Sequence, residues 1–275
     1  MKFPLVFLCL IISLQSRGQD SNPESLDSFK KYSYPIVNIF QAGLRSDGMI
    51  HFLDKSGTGF FIRAKGKLFL VSAKHVLTPW NCDSVRAIYP FPDTARIRLY
   101  TKDGDWNYVL VDLKKIKDTI TGSNCIDDPD IFVMPFPDIP GFAINSIEAF
   151  IKPFENIPDS ATIVYCGFPH EHITPESFRR VINSKPSMST GFTLYPFANP
   201  YLHNNRIDTI NVFMQRFDTL SVPGYSGSPV FLKNARGEWI FCGVTSHGSS
   251  TYPFTVFVRS KFVMEKIEAL LSQIK

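Results

Sequence analysis

Three short segments carry residue types that together do acyl-transfer chemistry. In Leu70-Val71-Ser72-Ala73-Lys74-His75-Val76 an apolar run delivers a His at its end. In Asp128-Pro129-Asp130-Ile131-Phe132-Val133 an acid stands at the entry to an apolar run. In Gly224-Tyr225-Ser226-Gly227-Ser228-Pro229-Val230-Phe231 a Ser lies between glycines and leads into another such run. The glycines permit a tight turn that exposes the hydroxyl and aims backbone N–H groups at one point. A neutral imidazole can remove the hydroxyl proton, and a carboxylate can hold the imidazole tautomer and stabilise the imidazolium. For the acid, Asp127 and Asp128 compete with Asp130, which abuts the apolar run and is preferred.

The elements that must position these residues read as strands. The 25 Phe, 20 Pro and 16 Gly combine bulky β-formers with turn-makers, which points to short strands and many loops. Strand-like runs fall at Ile36–Phe40, Gly59–Ile62, Leu68–Val71, Arg96–Tyr100, Tyr108–Val111 and Ile131–Met134, with a hairpin at Gly66. A second group comprises Thr162–Tyr165, Val181-Ile182, Thr209–Phe213, Val230–Leu232, Trp239–Val244 and Phe254–Val258. The Pro-rich piece from Pro135 to Pro158 reads as a linker between the groups, and residues 20–33 as a mobile lead-in. Phe262, Val263, Ile267, Leu270 and Leu271 recur at helical spacing and predict a C-terminal amphipathic helix.

In this order the motifs resemble the chymotrypsin-like (trypsin-fold) serine peptidases, closest to a bacterial branch that includes glutamyl endopeptidases and HtrA-type enzymes. Ser72-Ala73-Lys74-His75-Val76 matches the family's Thr-Ala-x-His segment, Asp130–Val133 its Asp-Ile-Ala-Leu-type strand, and Gly224–Pro229 its nucleophile loop. Gly57-Thr58-Gly59-Phe60 looks like the strand before the His. Cys166-Gly167-Phe168-Pro169 resembles a Gly-Tyr-Pro element, and Gly243–Gly248 the strand that pairs with substrate backbone. The order His75, Asp130, Ser226, with gaps of 55 and 96 residues, is the family's order.

The resemblance implies an all-β fold of two six-stranded antiparallel barrels with a C-terminal α-helix. The expected layout is 1–18 leader, 19–34 lead-in, 35–140 first barrel, 141–158 linker, 159–259 second barrel and 260–275 helix. It implies a serine endopeptidase with Ser226 as nucleophile, His75 as general base and then acid, Asp130 as orienting acid, and the N–H groups of Gly224 and Ser226 as oxyanion hole. Ser246, His247 and Gly248 would pair with the bound peptide, and Leu220, six residues before Ser226, would line an apolar specificity pocket. His247 lies one position beyond the substrate-binding His of glutamyl peptidases, so Glu specificity does not follow. Tyr225 stands where digestive enzymes carry the Asp that pairs with a newly cut N-terminus, so an oxyanion loop formed without that ion pair is expected. The 49 residues after Ser226 are too few for the PDZ domain of HtrA-type enzymes. A catalytically weak or silent relative that binds peptides is the alternative reading.

Composition bounds the remaining classes. The chain of 275 residues has a formal net charge of +4, too mild for a dedicated nucleic-acid binder. Lys2 followed by an apolar run from Phe3 to Leu14, then Ser16 and Gly18, describes a secretory leader cut near Gly18. Its removal leaves a secreted or periplasmic chain at +2, with no membrane span in the mature form. A polypeptide substrate, a monomer, no cofactor and no metal are expected. His170-Glu171-His172 lacks a third ligand and reads as a solvated loop. Cys166 and Cys242 sit in apolar runs and read as buried thiols, while Cys82 and Cys125 lie in loop-like sequence and could pair.

Overall fold

The computed structural model describes residues 25–44, 50–77, 94–114, 129–153, 157–158, 160–169, 185–193, 212–216, 222–248 and 254–273. They are mostly β: two antiparallel curled sheets and a C-terminal helix, the double-barrel plan implied by the sequence. The first sheet contains β1 (Tyr34–Leu44), β2 (Ile50–Ala64), β3 (Lys67–Ser72), β4 (Thr94–Thr101), β5 (Trp106–Asp112), β6 (Phe132–Phe136) and β7 (Phe142–Ala143). Its order is β5-β4-β1-β2-β3-β6, with β7 paired to β4. Among the described residues this sheet is seven-stranded and open at β5 and β6, where six strands and closure were expected. The second sheet does close as a six-stranded barrel, in the order β10-β13-β12-β11-β8-β9. Its strands are β8 (Thr162–Gly167), β9 (Ser187–Thr193), β10 (Val212–Arg216), β11 (Pro229–Lys233), β12 (Trp239–Gly248) and β13 (Phe254–Arg259).

Local chemistry explains the key turns. The hairpin between β2 and β3 pairs Ala64 with Lys67, leaving Lys65 and Gly66 as a two-residue loop with φ of 46° and 75°. Two positive φ values are what a type I′ turn requires, and its twist matches the strands it joins. Pro135 sits inside β6 opposite Phe69, tolerated because β6 is an edge strand and its missing N–H breaks no inner ladder.

The apolar strands are buried on both faces, and the alternation splits them between two cores. Along β3, Leu68 and Leu70 enter the first sheet's own core, while Phe69 and Val71 face the other way. In the second barrel Ile163, Tyr165, Val230, Leu232, Ile240 and Cys242 fill the interior. Val164, Cys166, Phe231, Trp239 and Phe241 join Phe69 and Val71 in a third cluster, shared by both sheets. The C-terminal helix Ser260–Gln273 lays Val263 and Ile267 onto that shared layer, with Phe262, Leu270 and Leu271 packed at its edge.

Two segments are more ordered than their sequence implies. From residue 25 onward the lead-in is no mobile tail: Leu26–Tyr32 forms a 3-10 helix whose Phe29 is fully buried in the shared layer. Its ring centroid lies 4.5 Å from that of Phe231 and 5.3 Å from that of Trp239. Ser33 Oγ donates to the Cys166 carbonyl at 2.7 Å. The Pro-rich piece likewise carries β7 and a 3-10 turn, Glu148–Phe150, and buries Ile147 and Phe150 in the same layer. In both cases the buried residues fall in stretches without strand or helix periodicity, and only the cavity between the sheets makes them core. Residues 1–24, Cys82, Cys125 and Val181-Ile182 lie outside the described residues. Cys166 and Cys242 are free and buried, and burial pushes the Cys166 thiol up to about 12. No helix among the described residues is long and apolar enough to cross a membrane.

Truncating Phe29 to Ala should cost about 3–5 kcal/mol of stability. Leu26→Ala, at a position 38% exposed, should cost far less. Urea unfolding checks this, with the Phe29→Ala midpoint falling and the slope unchanged.

Candidate active site

His75 follows directly from the end of β3. That strand stops at Ser72, and the chain turns at the buried Ala73 into the single helical turn α1 (Lys74–Leu77), closed by Val76 N–H donating to the Ala73 carbonyl at 3.2 Å. Val76 and Leu77 are buried, so they lock the turn, while the His75 side chain keeps 26% exposure. Asp130 stands just before β6, the strand paired with β3, where Ser72 lies opposite Phe132. Ile131 N–H donates to the Pro129 carbonyl at 2.6 Å, an i to i+2 turn centred on Asp130.

The carboxylate of Asp130 is the hub of a three-donor set. One oxygen accepts from His75 Nδ1 at 2.7 Å and from Ser246 Oγ at 2.5 Å. The other accepts from the His75 backbone N–H at 3.0 Å. Burial pushes this carboxyl up, yet the charge and hydrogen bonds of His75 and the Ser246 hydroxyl outweigh it and hold the group down at about 2. With Nδ1 engaged by a carboxylate, the imidazole keeps its proton there and leaves Nε2 as the basic nitrogen.

Ser226 comes from the second barrel, in the turn before β11. Ser228 N–H donates to the Tyr225 carbonyl at 2.9 Å, closing a four-residue turn around Ser226 and Gly227. Gly227 has φ of 87°, and a Cβ there would overlap the Thr58 carbonyl and the Ser72 hydroxyl. Position 227 is therefore restricted to glycine by both backbone conformation and space. The Ser226 hydroxyl donates to the Ser246 carbonyl at 2.9 Å, not to His75. Ser246 thus touches two members of the constellation, its hydroxyl on Asp130 and its carbonyl on Ser226. Sequence reasoning placed Ser246 only against substrate. Its side chain, 2% exposed, is turned inward instead.

Of the other expected site residues, Gly224 is buried next to Tyr225 with φ of 102°. His247 and Gly248 belong to β12, with Gly248 paired to Thr255 of β13. Leu220, Asp127, Asp128 and His170–His172 lie outside the described residues. Two residues that sequence reasoning assigned no task touch the nucleophile turn. Thr58 Oγ1 donates to the Gly224 carbonyl at 2.8 Å, and Thr245 Oγ1 to the Tyr225 carbonyl at 2.5 Å. Each lies one position from a quoted glycine or serine, and a threonine in a strand gives no sequence signal of such a bond.

No family model matches the chain, and no curated protein matches it. Among solved structures it is similar to the catalytically inactive tobacco etch virus protease complexed with substrate, at 15% identity over 86% of this chain and 81% of that one, with a TM-score of 0.44. It is also similar to the protease Anisep from Arthrobacter nicotinovorans, at 14% identity over 83% and 90% of the two chains and a TM-score of 0.49. A third is a thermostable serine protease, AL20, from an extremophilic microorganism, at 13% identity over 84% and 91% and a TM-score of 0.47.

The buried carboxylate makes the fold acid-sensitive in a defined window. Because folding lowers the Asp130 pKa from near 4 to about 2, its stabilisation is complete above pH 4 and is lost as pH falls through 2. The stability advantage of wild type over Asp130→Asn should therefore shrink by about 2 kcal/mol between pH 5 and pH 2. Denaturant titrations at the two pH values measure it.

Proposed function

We propose that this chain is an exported serine endopeptidase that cleaves polypeptides through Ser226, His75 and Asp130. The observation that carries the reading is the buried Asp130 carboxylate bound to His75 Nδ1 at 2.7 Å, with Ser226 joined to the same network through Ser246.

In this reading the Ser226 hydroxyl turns from the Ser246 carbonyl toward His75 Nε2. Oγ attacks the scissile carbonyl carbon as its proton passes to Nε2, and the N–H groups of Gly224 and Ser226 receive the developing oxyanion. The imidazolium, stabilised by Asp130, then gives that proton to the departing amine. This leaves an ester on Ser226. Water, deprotonated by the same nitrogen, cleaves the ester and restores the hydroxyl. No metal or organic cofactor takes part in any of these steps. The β12 segment Ser246–Gly248 is the edge on which a peptide backbone would lie, with His247 and Leu220 as specificity candidates. The apolar leader at residues 1–18 supports secretion or periplasmic export.

A second reading, a silent relative that binds peptides, draws on one observation: the Ser226 hydroxyl is engaged by a carbonyl, not by the imidazole. Labelling with a fluorophosphonate separates the two. The peptidase should label at neutral pH, Ser226→Ala should not label at all, and His75→Ala should lose on the order of 10⁶ in kcat. Asp130→Asn should lose about 10⁴. A folded wild type that takes no label leaves the binding-module reading standing.

A further inference from the structure

The nucleophile turn is held by two buried threonine hydroxyls, one from each sheet. We propose that Thr245 and Thr58 are positioning residues that aim the Ser226 N–H, one of the two oxyanion donors of the peptidase reading. The inference rests on the peptidase reading and deepens it.

The peptide group between Tyr225 and Ser226 sets the direction of the Ser226 N–H. In a trans peptide the C=O and N–H point in opposite directions within one plane. Fixing the Tyr225 carbonyl therefore fixes where the Ser226 N–H points. That carbonyl accepts from Thr245 Oγ1 at 2.5 Å and from Ser228 N–H at 2.9 Å. Thr245 Oγ1 has one proton and two carbonyls in reach, Tyr225 at 2.5 Å and Ser228 at 3.3 Å, and the nearer takes it. The same oxygen accepts from Ser228 N–H at 2.9 Å, so the Thr245 side chain cannot turn about χ1 without losing both bonds. Thr245 is itself pinned, its N–H donating to the Ser228 carbonyl at 3.0 Å and its carbonyl accepting from Gly227 N–H at 2.7 Å.

Thr58, fully buried on β2, holds the carbonyls on either side of that peptide. Its hydroxyl donates to the Gly224 carbonyl at 2.8 Å and accepts from Phe168 N–H at 3.1 Å. Its own N–H donates to the Ser226 carbonyl at 2.8 Å. Its carbonyl accepts from Ser72 Oγ at 2.7 Å, three residues before His75. Gly167 leaves the space for this convergence, since a Cβ there would collide with Ser228 Oγ and Thr58 Oγ1. Tyr225 completes the clamp without charge. Its ring meets Tyr165 edge-on at 4.9 Å between centroids, and its hydroxyl bonds to Ser187.

Threonine-to-valine exchange removes one hydroxyl and keeps the shape, so Thr245→Val and Thr58→Val test the clamp and the corresponding serines should rescue it. In the full chain, Thr245→Val should lower kcat and the fluorophosphonate labelling rate about a hundredfold with KM within about twofold, whereas Thr245→Ser should stay within about threefold of wild type. Thr58→Val should behave alike and serves if Thr245→Val does not fold. Labelling of a folded valine variant at the wild-type rate overturns the proposal. So does a serine variant that loses as much as its valine counterpart. Amide hydrogen exchange across 224–228 keeps the clamp separable from the peptidase reading. If wild type takes no label, the peptidase reading fails, yet exchange at least tenfold faster in Thr245→Val than in Thr245→Ser still supports the clamp, and equal exchange overturns it.

Discussion

The structure depends on strands that are apolar on both faces. A strand alternates its side chains, so a run such as Leu68-Phe69-Leu70-Val71 must find two dry environments. One is the interior of its own sheet, and the other is the layer between the sheets. That second layer joins the sheets into one body and brings the end of β3 and the start of β6 against the start of β11 and the end of β12. Phe29, Ile147, Phe150 and the C-terminal helix close the layer's margins and shield it from water.

Polar groups at the rim of this layer have few alternatives to one another. Asp130 is the sharpest case. Its carboxylate is buried, which disfavours charge, and it stays ionised because three donors converge on it. Two belong to His75 of the first sheet and one to Ser246 of the second. The constellation is therefore also a joint between the halves, and its geometry holds only while they are docked. Thr58 is a second joint of the same kind, a residue of β2 whose backbone and side chain bond the turn that carries Ser226. Hydrogen bonds in such dry surroundings are costly to leave unmade, which gives the site its rigidity.

Much of this was legible in the residues. Most of the strands, the hairpin at Gly66, the C-terminal helix and the buried thiols follow from periodicity, turn chemistry and apolar context, whereas β7 and β9 fall where no strand-like run was expected. The pairing of His75 with Asp130 followed from the order and character of the two motifs, and the structure places them in direct contact. What was not legible falls into two kinds. Phe29 and Phe150 are single aromatics in unpatterned stretches, and no local rule says which cavity will receive them. Thr58 and Thr245 act through side-chain bonds to backbone carbonyls, and Ser246 through one to the Asp130 carboxylate, all more than a dozen residues away in sequence, and hydroxyl residues in strands look alike whether or not they make such bonds.

By itself the amino-acid sequence determined most of the strands, the residues able to do chemistry, and the special backbone at Gly224 and Gly227, because these depend on side-chain type and neighbours along the chain. Only the tertiary structure decided that Asp130 is ionised under burial, that the Ser226 hydroxyl rests on Ser246, and that two threonines grip the turn between them. Those outcomes depend on distances between atoms from different sheets, and such distances exist only once the apolar layer has brought the sheets together.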